Sequence, residues 1–378
     1  IFDGMGQEVM VIGQATSPNG ENIVQVSEYD ALGRQTRVWQ PFATSANGYF
    51  SNFGNIATSY YGDTRPYTEY QTEISAQGRV IETVLPGSDF EGHPVRNEYL
   101  CNNQTAELKC RKYSITSQNN LRCDGYYPSG TLDVVKTIDG DNNIMLIFTD
   151  VAGRKILERR KTGNTYADTY YISDNYGRPL LILPPMASKD FTTEGGTWSI
   201  TGNSTIQRYA YSYRYDDRHM CIYKKLPGRG AVRYKYDAGH RLVAEQDGNM
   251  HNSMQWLSHF YDKYGREVIN GIMSGDESEI DLLTGESIIA TLDGSQENYG
   301  YSFSRPLPLL IEPFVMVNYY DNYDFIQYAD GINASQYSPM AVVNRPPPVG
   351  MLTGALTFTG SDNTPLLSVS YYDMQGNE

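Results

Sequence analysis

Over much of this chain apolar and polar positions alternate. Tyr209, Tyr211, Tyr213 and Tyr215 take turns with Arg208, Ala210, Ser212 and Arg214, and a period of two places all four rings on one face of a strand. Elsewhere, short aliphatic runs stop at proline. Val80 to Leu85 ends before Pro86, Leu180 to Leu183 before Pro184, and Cys221 to Leu226 before Pro227. Proline has no N–H to give to a ladder, so it closes a strand. No stretch of ten or more residues carries the 3.6-residue period of a helix. The pattern predicts an all-β chain.

Between the runs one string returns. Its full form is Tyr29-Asp30-Ala31-Leu32-Gly33-Arg34 and Tyr261-Asp262-Lys263-Tyr264-Gly265-Arg266. Tyr suits a pleated, half-buried strand. Asp can accept a hydrogen bond from the backbone two residues on and brace a turn. Gly supplies the positive φ of a tight reversal, and Arg opens the return strand. Each copy therefore predicts a β-hairpin.

Close relatives of the string carry Asp3 with Gly6, Asp150 with Gly153 and Arg154, Asp174 with Gly177 and Arg178, and Asp373 with Gly376. Degenerate ones are Ser75 with Gly78 and Arg79, Asp216 with His219, Asp237 with His240, and Asp321 with Asp324. Asp3 to Asp30, Asp150 to Asp174, Asp216 to Asp237 and Asp237 to Asp262 are 27, 24, 21 and 25 residues apart. Other gaps are about two or three times that, as eroded copies require. Eroded hairpins are expected near residues 99 and 124. A period of this size marks a repeat architecture, here an array of antiparallel hairpins forming a curved, spiralling sheet.

Several stretches interrupt the array. The expected organisation is a hairpin array over 1–273 with loop insertions near 42–70 and 186–207. A β-rich insertion or small subdomain follows over 274–318, and the array continues over 319–378. Arg345-Pro346-Pro347-Pro348 reads as an extended connector. The first and last hairpins are cut, so the chain is expected to be a piece of a longer protein.

Composition narrows the function. The 378 residues include 44 Asp and Glu against 30 Lys and Arg, a net charge of −14. That disfavours a nucleic-acid backbone as partner and an anionic membrane surface. The apolar stretch Leu307 to Val317, broken by Pro308, Glu312 and Pro313, is far too short to span a bilayer. Cys101, Cys110 and Cys123 fall close together, but no Cys-x-x-Cys pair or neighbouring His makes a metal site of them. Free thiols are expected, with a Cys101–Cys110 disulfide as the alternative for an exported protein.

Candidate chemistry is sparse. His219 and His240 fall at or beside the glycine position of degenerate turns, where a turn role is expected. Asp139-Gly140-Asp141-Asn142-Asn143 opens like a calcium loop, but position six is Ile144 and position twelve Asp150, so an EF-hand fails. No catalytic pair, cofactor motif or metal site stands out, and no enzymatic activity is expected. The row Tyr209, Tyr211, Tyr213 and Tyr215 has two readings. It packs within a sheet, or it offers a platform to a glycan or a partner's side chains.

The Tyr-Asp-x-x-Gly-Arg string resembles the YD-repeat, or Rhs (rearrangement hotspot), family over essentially the whole chain. Residues 1–42, with Asp3-Gly4-Met5-Gly6-Gln7 and Glu28-Tyr29-Asp30-Ala31-Leu32-Gly33-Arg34, look like the N-terminal repeats of large Rhs proteins of Bacteroides-type bacteria. So do Gly163 to Tyr171 and Leu352-Thr353-Gly354. The resemblance implies a β-sheet shell able to enclose a C-terminal toxin or effector, on a secreted or cell-surface protein. Its partners would be other segments of its own longer chain. The family's self-cleaving aspartates have no match here, so autoproteolysis is not carried over. An extracellular carbohydrate-binding or adhesive module is the alternative.

Overall fold

The computed structural model describes residues 1–295, 297–328, 349–359, 365–372 and 376–377. It is built of antiparallel strands with a few short helices. The chain forms two compact units, Ile1–Ile206 and Gln207–Glu378.

In the first unit one antiparallel meander runs through Met10–Gly13, Asn22–Tyr29, Gln35–Trp39, Tyr67–Thr72, Val80–Val84 and Val95–Cys101. It continues through Asp133–Ile138, Ile144–Thr149, Lys155–Thr162, Thr165–Ser173 and Pro179–Leu183. In the second unit a like meander runs through Tyr211–Tyr215, Cys221–Lys225, Ala231–Tyr236, Leu242–Gln246 and Gln255–Tyr261. Glu267–Ser274, Phe314–Tyr320, Leu352–Phe358 and Pro365–Val369 complete it.

Every strand reverses its predecessor, so connections alternate between the two edges of a sheet. This explains the period. In the first unit the turns at Asp3, Asp30, Ser75, Asp150 and Asp174 share one edge; in the second, those at Asp216, Asp237 and Asp262 do. One repeat is two strands and two turns. The opposite edges carry the alternate connections, of which 40–66 and 275–313 are long and those at Asp139 and Thr162–Thr165 are tight.

A bulge accompanies the turns. The register slips between Glu28 and Tyr29, between Phe148 and Thr149, and between Phe260 and Tyr261, each time beside the Asp that follows. A bulge bends its strand and sharpens the local twist. Repeated at equivalent positions, it gives successive hairpins the same local bend.

Two additions cover parts of the first sheet. Residues 42–70 read as a loop, but they hold the helix Phe53–Tyr61 and the strand Tyr67–Thr72. Phe53 packs edge-on to Trp39 at 5.5 Å between ring centres, and Ala57 is buried with Met10, Val24, Val26 and Phe42. Nine residues are too few to display a helical period among so many aromatics. The second addition is a small sheet of Arg111–Ile115, Asn120–Tyr126 and Thr197–Ser199, in place of the plain array hairpin expected near 124. Buried Arg159 secures it. Nε and Nη2 bond Asp168 at 2.8 and 2.7 Å, while Nη1 bonds the carbonyls of Ala106, Glu107 and Lys109.

In the second unit the connection 275–313 folds over the sheet. It contributes Ile280, Leu283, Ile288, Ala290, Tyr301 and Ile311 to a core with Trp256, Phe260, Ile269, Val317, Tyr319 and Leu356. The connection includes the hairpin Ala290–Ser295 with Gly300–Phe303, while Phe314–Tyr320 returns to the main sheet.

Candidate functional site

The recurring turn is the feature the sequence singles out, and its geometry is uniform. At Asp30, Oδ1 accepts from the N–H groups of Leu32 and Arg34, both at 2.9 Å. The Asp30 N–H reaches the Arg34 carbonyl, and the Gly33 N–H reaches the Asp30 carbonyl. Oδ2 takes Arg34 Nε at 2.7 Å. Asp150 with Arg154, Asp174 with Arg178 and Asp262 with Arg266 repeat this set. The fourth position needs the left-handed region, with φ +79° at Gly33 and +80° at Gly265. His219 and His240 stand there at +70° and +64°. The pivot of the Asp237 turn is thus His240 rather than Gly239.

Arg and Tyr reach outside their own turns. Turns on one edge are two strand spacings apart, roughly 10 Å, which a long side chain bridges. Arg34 Nη1 donates to the Glu73 carbonyl at 2.9 Å, and Arg154 Nη1 to the Asp174 carbonyl at 3.0 Å. Gln7 in the Arg position of the first turn donates to the Gly33 carbonyl, and Arg218 to that of Asp237. Tyrosines span the same gaps in the other direction. Tyr236, Tyr261 and Tyr320 donate to the carbonyls of Cys221, Leu242 and Glu267 at 3.1, 2.8 and 3.3 Å. Tyr29 does so to Glu8, and Tyr99 to Val80. Each acceptor lies five residues after the Asp or Ser of the preceding turn. This role of the Tyr was not read from the sequence. Its signal was there in a ring hydroxyl placed one residue before the Asp.

Three more turns share this geometry: two went unread, and the third, at Asp139, was read only as a polar turn outside the repeat. Ser17 with Gly20, Thr116 with Asn119 and Asp139 with Asn142 close with the same pair of backbone bonds and the same side-chain brace. Asn119 and Asn142 take φ +57° and +63°. The calcium-like Asp139 segment is thus a turn, with Asn143 in the Arg position bonding Asp139 Oδ2. Ser75 braces more weakly. Arg79 pairs instead with Glu73 at 2.7 Å, which holds the Glu73 carboxyl down at about 2. The Asp321 string does not close as a hairpin: the Asp321 N–H bonds the Met351 carbonyl. Asp373 and Arg345 to Pro348 lie outside the described residues; Gly376 has φ +83°.

Four of the turn acids are held ionised by their turns. Asp30 lies below the usual carboxylate range, first through the Arg34 N–H and then through the guanidinium. At Asp150 and Asp174, burial raises the value, but bonds from Arg154 and Arg178 outweigh it and the net shift is downward. At Asp237 the Arg241 N–H, Ser287 and the Arg241 side chain do the same. The Tyr261 hydroxyl is pushed up to about 12 by burial, so it donates throughout the physiological range.

The tyrosine row is split. Tyr209 ends the helix Ser204–Tyr209, so only Tyr211, Tyr213 and Tyr215 share the strand, each half-buried. Cys101, Cys110, Cys123 and Cys221 are free thiols, Cys110 and Cys123 buried. Among the described residues no group of three or more His, Cys, Asp and Glu side chains is placed to hold a metal ion. Among them, too, no helix is long and apolar enough to cross a membrane.

Residues 1–101 match the model of a domain of unknown function, DUF6443. Against curated proteins the sequence has no match. Among solved structures, a chain of TcdB2-TccC3-TEV aligns with a TM-score of 0.49 at 11% identity, over 94% of this chain and 13% of that one. A chain of the Photorhabdus luminescens Tc holotoxin pore aligns at 0.45 and 11% identity, over 96% and 14%. A chain of TcdB2-TccC3 aligns at 0.43 and 14% identity, over 99% and 18%. This chain therefore spans less than a fifth of the length of those three.

Proposed function

We propose that this chain is a non-catalytic segment of a β-shell in an Rhs-like secreted or cell-surface protein. The shell encloses or presents an effector carried elsewhere on the same longer polypeptide. The observation that carries this reading is the paired latch: within each unit, Arg or Gln reaches forward and Tyr reaches back between neighbouring turns. Hydrogen bonds within a hairpin would suffice for an isolated turn. Bonds between hairpins have use only in a continuous wall, where each element must hold its neighbour in register. The uniform brace and bulge support the same reading, because they repeat a mechanical unit rather than build one special site.

The test is protease protection. The longer chain, expressed with and without this segment, is digested under native conditions, and survival of the effector part is followed. Protection only when the segment is present supports enclosure; equal digestion of both forms defeats it.

A further inference from the structure

In the recurring turn only the brace, the pivot and the Arg position answer to the fold. The two positions between brace and pivot project into solvent, where polar residues are expected. Along the turn edge of the first unit they are not polar. Met5, Leu32, Val151 and Tyr176 occupy them, and at the Ser75 turn Ile74 stands beside the brace. All five are between 65% and 99% exposed. The Ser17 and Asp139 turns of the opposite edge provide a control, because they close in the same way. Their free positions hold Pro18-Asn19 and Gly140-Asp141. In the second unit the same positions hold Asp217-Arg218, Ala238-Gly239 and Lys263-Tyr264, so the row belongs to the first unit. One exposed Leu means little. Five apolar tips on one edge, against small or polar ones at the matching turns of the other, mark a surface that something covers.

We propose that this edge joins two copies of the chain, the row of one packing antiparallel on the row of the other about a two-fold axis. Area, spacing and charge all select a second copy. The five side chains together expose on the order of 800 Å², which is what each partner of a standard-size interface buries. Neighbouring turns stand roughly 10 Å apart, with one wider step between Ile74 and Val151, where the small sheet is inserted. A row with that spacing is matched by the same row reversed, as a two-fold interface requires. A chain of net charge −14 repels its own copy, but on this edge the acids are neutralised. Asp30, Glu73, Asp150 and Asp174 pair with Arg34, Arg79, Arg154 and Arg178. The tips are also held ready. Asp3, Asp30 and Asp174 fix the N–H groups of Met5, Leu32 and Tyr176 at 2.8 to 2.9 Å, so contact demands little further ordering. Tyr176 already has the Arg178 guanidinium over its ring at 5.2 Å, which leaves the other four tips as the centre of the contact.

The experiment is sedimentation equilibrium of the whole chain over about 1 to 100 μM. Twice the monomer mass is expected at the upper end. Leu32→Lys combined with Val151→Lys should weaken association about tenfold or more. Asn19→Lys combined with Asp141→Lys, which adds at least as much positive charge on the opposite edge, should leave it intact. All four side chains are exposed, so both variants should melt with the parent, which separates lost association from lost folding. Three results would overturn the proposal. One is a monomer throughout, as when another stretch of a longer polypeptide or a different protein covers the row. The others are a dimer indifferent to the Leu32 and Val151 changes, and a dimer broken equally by the opposite-edge pair. Protection of an effector is read in a different assay, so either idea can fail alone.

Discussion

Each letter of the repeat has a separate physical task. Asp satisfies two backbone donors and one guanidinium, Gly supplies a backbone conformation, Arg crosses to the next turn and Tyr crosses back. The tasks differ in cost when removed. Tyr261→Phe deletes one hydroxyl bonded at 2.8 Å and should lower stability by about 1 kcal/mol in denaturant unfolding. Tyr264→Phe, at an exposed tip, should leave stability unchanged. Asp262→Ala strands the N–H groups of Tyr264 and Arg266 together with Arg266 Nε, and should cost about 2–3 kcal/mol. His240→Gly should stabilise, by about 0.5–1 kcal/mol, since φ +64° strains a residue with a Cβ. A destabilised His240→Gly protein would show that its imidazole contributes more than the backbone strain costs.

At the scale of the hairpin, the braces make stability depend on acid. Asp30, Asp150, Asp174 and Asp237 all titrate below the usual carboxylate range when folded. A carboxyl lowered by folding contributes fully above its unfolded pKa, and the contribution is lost as pH falls through the folded one. The melting temperature should therefore hold level from neutrality to about pH 5 and drop steeply below about pH 4. A drop centred near pH 6 would point to histidine instead. Hairpins were the most legible elements in the sequence because their requirement is local: an acceptor, two free positions and a residue tolerant of positive φ. The same rule, with Ser or Thr as acceptor and Asn as pivot, would have found Ser17 and Thr116 and joined the polar turn at Asp139 to the repeat. The helix Phe53–Tyr61 was not legible, since its aromatic face answers to Trp39 and Phe42 on other strands.

For the whole molecule, burial is uneven. Ala231–Tyr236 is half-buried at every position, whereas Gln255–Tyr261 and Glu267–Ser274 are largely buried where the connection 275–313 covers them. Replacing 275–313 with a short turn should expose Trp256, Phe260, Val317 and Leu356, raise binding of an apolar dye and promote aggregation. An unchanged monomer with no added dye binding would mean those side chains find other cover. The sequence alone determined the strand class, the turn chemistry and the period, because each rests on contacts within about six residues. Tertiary structure alone decided which carbonyl each Tyr and Arg finds, how the insertions cover the sheets, and where the Asp321 turn opens. Those outcomes join residues some 15 to 55 positions apart, and hydrogen bonding and burial at that range depend on where the folded backbone places each partner.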